Sequence, residues 1–139
     1  MKPEEHGHAY FAHDELARNL AMQLDAVERG FARVRVPATG QCRNGIGTLH
    51  GGIIMASADI AFAVACNTYP DRAAGVQMNL AFVAVPEAGD IVAEARELQR
   101  GGRVGNYEVK VLDTRARLVA HGTAIAYIRR DPATPTSRP

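Results

Sequence analysis

The chain has 139 residues, a length that suits one domain, and 47% of them are hydrophobic, so a core can form without metals or disulfides. Its 16 basic and 15 acidic side chains leave a formal charge of +1, which gives no electrostatic reason to expect nucleic acid or a membrane surface as a partner. Cys42 and Cys66 belong to no CxxC pair and read as reduced thiols of a cytoplasmic protein. Met1 to Ala9 has no apolar run behind it and is not a signal peptide.

In chain order, residues 1–9 are expected to be a flexible lead, residues 10–130 the folded domain, and residues 131–139, with three prolines, a disordered tail. Phe11, Leu16 and Leu20 recur at roughly helical spacing. Met22 to Glu28 and Phe31 to Val36 alternate around an Arg29-Gly30 turn, as a hairpin does. A turn-rich segment from Pro37 to Leu49 leads to a helix from Gly51 to about Tyr69. That helix is apolar on nearly every face, so it should be wrapped by other structure. It carries Asp59 and is too short for a confident membrane span. Four strand-like runs follow. Val76, Met78, Leu80 and Phe82 share one face of the first, opposite Gln77 and Asn79. The others are Ile91 to Leu98, Val104 to Leu112 and Leu118 to Ile128. Short connectors favour an antiparallel meander, so the class is α+β with a sheet curved around an apolar helix.

The chemistry concentrates in Asn44-Gly45-Ile46-Gly47-Thr48-Leu49-His50-Gly51-Gly52, followed after six residues by Asp59. This N-x-x-G-x-x-H-G-G…D pattern resembles the phenylacetyl-CoA thioesterase-like (PaaI-type) branch of the hotdog-fold superfamily. The strand ending at Pro86, the Gly89-Asp90 turn, the Gln99–Arg103 hairpin and Ala120-His121-Gly122-Thr123 are similar to it too, so the likeness spans roughly residues 15 to 129. It implies a hotdog fold and hydrolysis of an acyl-CoA thioester without metal or cofactor.

The residues suit that chemistry in their own right. The first N–H groups of a helix lack intrahelical partners and lie at the positive end of its dipole, so Gly51 and Gly52 can offer donors to an oxyanion. Glycine lets a substrate approach that backbone, although tight helix–sheet packing would also explain the pair. Asp59, between Met55, Ala56, Phe62 and Ala63 on the helix, is costly there unless paired with an arginine or used as a base or nucleophile. Eight residues separate Gly51 from Asp59, about 12 Å along a helix axis. A site that uses both must therefore combine two chains, with two antiparallel helices facing each other across a dimer.

The resemblance further implies that Asn44 positions water or the carboxylate and that His50 orients the loop or bonds near the thioester carbonyl. It implies a polar residue on the strand after the helix, for which Gln77 and Asn79 are the two candidates. It also makes a dimer of dimers plausible. Arg100 and Arg103, flanking Gly101-Gly102, could grip the phosphates of coenzyme A, or form a solvated turn; Arg129-Arg130 stands similarly. Met55, Phe62, Met78 and Phe82 could line the acyl group or belong to the core. His6, His8 and His13 lack metal-ligand spacing, and His121 reads as structural. Two alternatives remain open: a hotdog hydratase or dehydratase, and a non-catalytic acyl-CoA-binding module.

Overall fold

A computed structural model describes residues 1–37 and 42–130. The elements run α1 (Pro3–Ala12), α2 (Glu15–Asn19), β1 (Gln23–Glu28), β2 (Phe31–Val36), α3 (Gly51–Cys66), β3 (Arg72–Phe82), β4 (Ile91–Arg100), β5 (Val104–Leu112) and β6 (Leu118–Arg129). The six strands form one antiparallel sheet in the order β1-β2-β4-β5-β6-β3. The chain leaves β2 through α3 and re-enters at the opposite edge. β3 therefore pairs with β6 alone, and its other edge carries no strand among the described residues.

Small inward side chains let α3 sit close against the sheet. Ala32, Ala93, Ala95, Ala124 and Ala126 on the strands and Ala58, Ala61 and Ala65 on the helix are all buried. Larger groups fill the ends: Phe62 meets Tyr107 edge-on, with ring centroids 5.2 Å apart. Gly75 leaves room for the Phe62 ring, where a β-carbon would stand only 2.8 Å from Cε1. Of the two readings open for Phe62, acyl lining or core, it takes the second: its side chain is 1% exposed.

Three expectations change. Residues 1–9 are not a loose lead, because α1 begins at Pro3, whose missing N–H costs nothing at a helix start. Glu5 accepts the Lys2 N–H at 3.0 Å, and Gly7 is buried against Val27, Val64 and Thr68. Gly7 weakens the helical pattern, yet only a residue without a side chain fits that contact. The helical stretch then breaks, and Asp14 starts α2 by accepting the Ala17 N–H at 3.0 Å. Secondly, α3 stops at Cys66 rather than near Tyr69. The Asn67 amide takes over the carbonyls of Ala63 and Ala73, and the Thr68 hydroxyl bonds Ala65 while accepting from Gly30. Thirdly, α3 is not wrapped on every side. Gly52 and Asp59 are exposed and Met55, Ala56 and Ala63 only partly covered, a stripe at helical spacing. The expected tail at 131–139 and part of the loop after Pro37 lie outside the described residues.

The β5–β6 turn is tied by Asp113, which accepts the N–H groups of Glu87, Arg115 and Arg117 and the Arg117 guanidinium. Burial opposes its charge, but these donors prevail and hold the carboxyl below its usual range. A lowered folded-state value means stability present above the unfolded value and lost as pH falls through the folded one. Asp113→Ala is accordingly expected to flatten the acid limb of a melting-temperature profile between about pH 5 and pH 2.

Candidate active site

The loop before α3 is built around Asn44. Its Oδ1 accepts the N–H groups of Ile46 and Thr48 at 3.1 Å each, and its Nδ2 donates to the Thr48 hydroxyl at 2.8 Å. Its backbone N–H bonds the Thr48 carbonyl, and the His50 N–H bonds Cys42. Asn44 is thus committed to folding the loop that delivers the chain to Gly51. His50 caps the helix: its Nδ1 accepts the Gly52 N–H at 2.8 Å, and its carbonyl accepts from Ile53 and Ile54. Since Nδ1 is the acceptor, Nε2 carries the ring proton in the neutral imidazole.

This cap separates the two glycines. The Gly52 N–H is spent on His50, whereas the Gly51 N–H has no acceptor among the described residues. One helix-start donor is therefore open, at the positive end of α3. Beside it lies the half-exposed Phe82 ring, whose edge comes within 3.6 Å of where a Gly51 β-carbon would be.

Asp59 lies two turns further along the exposed stripe of α3. It accepts no hydrogen bond and makes no ion pair among the described residues, so the pairing with a strand arginine does not occur. Partial burial at its base raises its carboxyl pKa above the usual value, and the negative charge of Asp14 raises it further. Tyr10 joins the group: burial raises its phenol, followed by the charges of Asp14, Cys66 and Asp59. Sequence patterns did not point to Tyr10 or Asp14, because what brings them to Asp59 is the packing of α1 on α3. The Cys66 thiol, fully buried nearby, is pushed up to about 12 by burial and is inert.

Other candidates fall elsewhere. A bulge at Val76 shifts the β3 register between Gly75 and Gln77, and it leaves Val76 65% exposed instead of sharing the inner face. Met78 and Leu80 then turn to the core, while Gln77 and Asn79 are exposed on the opposite face, where Asn79 donates to Thr123. Gln77 and Asn79, the two candidates for assisting Asp59, thus lie on the face of β3 that points away from the core of their own chain. Arg100 is no free hairpin arm. Its guanidinium lies 3.6 Å from the Tyr69 ring centroid, and one terminal nitrogen is buried with no partner among the described residues. Arg103, by contrast, lines an open groove of about 550 Å³ with Tyr127, Arg129 and Arg130. His121 is exposed on β6, opposite Ala81 and Lys110.

An open helix-start donor and an unpaired carboxylate are the two parts that acyl transfer to water requires. Comparison with known proteins gives the family and the reaction class. The family model described as "Thioesterase superfamily" matches residues 46–120. The acyl-coenzyme A thioesterase PaaI of Escherichia coli is 31% identical over 120 residues, 86% of each chain. The 1,4-dihydroxy-2-naphthoyl-CoA hydrolase of Listeria monocytogenes is 27% identical over 107 residues, 75% of this chain and 87% of that one. The solved structure of E. coli PaaI superposes with a TM-score of 0.88 at 27% identity, covering 92% of this chain and 94% of that one. The sheet curved around α3 is the hotdog fold of these relatives, and the chain is a thioester hydrolase that belongs to the thioesterase superfamily, in its PaaI-type branch.

Proposed function

We propose that the protein hydrolyses acyl-CoA thioesters to the free acid and coenzyme A, at a site that two chains complete. The observation that carries this is the unpaired Asp59 on the exposed stripe of α3, about 12 Å along the axis from the open Gly51 N–H of the same helix. That gap is too wide for one chain and closes between two antiparallel helices. The free edge of β3 supports the same homodimer, because a second copy can continue the sheet there while its α3 covers the stripe. A dimer of dimers is a further possibility that the resemblance alone suggests.

In this mechanism the partner's Gly51 N–H receives the charge that develops on the thioester oxygen. Asp59 takes a proton from the attacking water, or itself adds to the carbonyl carbon to give a mixed anhydride that water then opens. In both routes the C–S bond breaks and the sulfur leaves with its electron pair, to be protonated as the thiol. The His50 Nε2–H, across the ring from the capping Nδ1, would serve as a second donor at the site's edge. Arg103, Arg129 and Arg130 suit the phosphates of coenzyme A. Asn44 acts through the loop it folds. The acyl-CoA activities of the E. coli and Listeria relatives support the substrate class. No helix among the described residues is long and apolar enough to cross a membrane. A cytoplasmic setting fits cysteines that form no disulfide among those residues.

Thiol release from a panel of acyl- and aryl-acyl-CoA esters tests the proposal. Release from none of them, with hydration of an enoyl-CoA instead, would replace it by the hydratase alternative; binding without turnover would replace it by the binding module. Asp59 must be ionised to act, so its raised value places the acid limb of kcat/KM above the ordinary aspartate range. Asp14→Asn keeps a good cap for α2 and removes a negative charge, and it is expected to move that limb to lower pH. A pH–rate profile checks this.

A further inference from the structure

The helix face that carries Asp59 continues to the end of α3, where it becomes buried. One turn on is Ala63, and a turn beyond that is Asn67, which lines a cavity of about 800 Å³ between α1 and the start of β3. If Asp59 faces the partner's Gly51, Ala63 falls opposite the partner's Gly47, before that chain's helix begins. An acyl group at the carbonyl therefore has two directions. Toward the helix crossing, the same pairing sets Met55 against its own copy, which would close that direction. Away from it, the path runs over the small Ala63 into the cavity.

The cavity wall is built for a fixed shape. The Tyr69 hydroxyl donates to the Glu97 carboxylate, 2.9 Å from each oxygen, and its ring is covered by the Arg100 guanidinium. Asn67 is spent on Ala63 and Ala73, and Asp14 on the Ala17 N–H. Its charge excludes the other end of the substrate. Asp14, Glu15 and Asp71 line it against a single arginine, Arg72, whereas Arg103, Arg129 and Arg130 line a separate groove. A polyphosphate arm is repelled from the first and drawn to the second.

Tyr10 is part of this wall and comes from α1, which packs on α3. Gly7 seats α1 against Val64 and Thr68, and Tyr10, three residues later, lies on the same helix face one turn along. Its side chain is 38% exposed and lines the cavity. We propose that this cavity receives the distal end of the acyl chain and that Tyr10, by its ring volume, sets the acyl length the enzyme accepts. The inference rests on the two-chain thioesterase site described above.

The test compares kcat/KM for butyryl-, octanoyl- and lauroyl-CoA in the wild type and in Tyr10→Ala, Tyr10→Phe and Tyr10→Trp. Tyr10→Ala is expected to raise the lauroyl-to-butyryl ratio at least ~tenfold, Tyr10→Phe to hold it within roughly twofold, and Tyr10→Trp to lower it. An unchanged ratio in both Tyr10→Ala and Tyr10→Trp would overturn the proposal. So would an equal rise in KM for all three esters, since the cavity would then serve the coenzyme A arm. A ratio in Tyr10→Phe that matches Tyr10→Ala would refute ring volume as the cause. Absence of thiol release from every ester by the wild type is a separate result, which removes the thioesterase reading beneath it.

Discussion

Asp59→Ala is expected to lower kcat at least ~100-fold while fold and dimer survive. Among the described residues the carboxylate makes no bond, and alanine is the better helix former at an exposed position. Circular dichroism, sedimentation and thiol release from one acyl-CoA ester check the three parts together. Near-normal hydrolysis would end the assignment of Asp59. The two-chain site gives a sharper form of the experiment. Among the described residues a β-carbon at Gly51 meets only the Phe82 ring, at 3.6 and 3.7 Å, so Gly51→Val should fold while blocking access to the N–H. Each single variant is then inactive. Mixed after dissociation and reassociation, half of the dimers pair one of each, and one site in each such dimer has both groups intact. Recovery of about a quarter of wild-type activity is expected from that twofold symmetry. If the site lay within one chain, mixing would restore nothing.

The second large effect is on stability. Gly122 on β6 pairs with Leu80, and a β-carbon there would overlap the backbone carbonyl of Asn79 on β3. A backbone group cannot swing aside as a long side chain can, so β3 must move off β6. Gly122→Ala is expected to cost about 3 kcal/mol. For a domain of this size that lowers the melting temperature by roughly 10 °C. Because β3 also offers the edge on which a second copy would dock, the same change should weaken self-association. Thermal melts, with sedimentation across a concentration series, read both. An unperturbed melt would mean that β3 pairs more loosely than this contact requires.

The contrast between Gly122 and Gly7 shows where sequence patterns stop being informative. Both are glycines within regular elements, where propensity counts against them. Each is there because a distant segment occupies the space of a β-carbon: Val27 and Val64 at Gly7, Asn79 at Gly122. Residues 1–9 accordingly looked like a loose lead and are mostly helix. Arg100 illustrates the same limit. A Gly-Gly turn flanked by arginines suggests exposed arms, but Tyr69 arrives from the end of α3 and covers one of them.

Alternation placed the strands, and motif spacing placed the start of α3. The rise of a helix then fixed the separation of Gly51 and Asp59, and with it the need for two chains if both act. These quantities depend on neighbours along the chain, so the sequence by itself determined them. Which glycine keeps an open N–H was decided by a His50 ring folding back onto Gly52. That Val76 leaves the face of Met78 and Leu80 was decided by a bulge in the pairing with β6. The approach of Tyr10 and Asp14 to Asp59 was decided by α1 packing on α3 through Gly7. Each depends on contacts between segments far apart in the chain, and only the folded molecule brings those segments together.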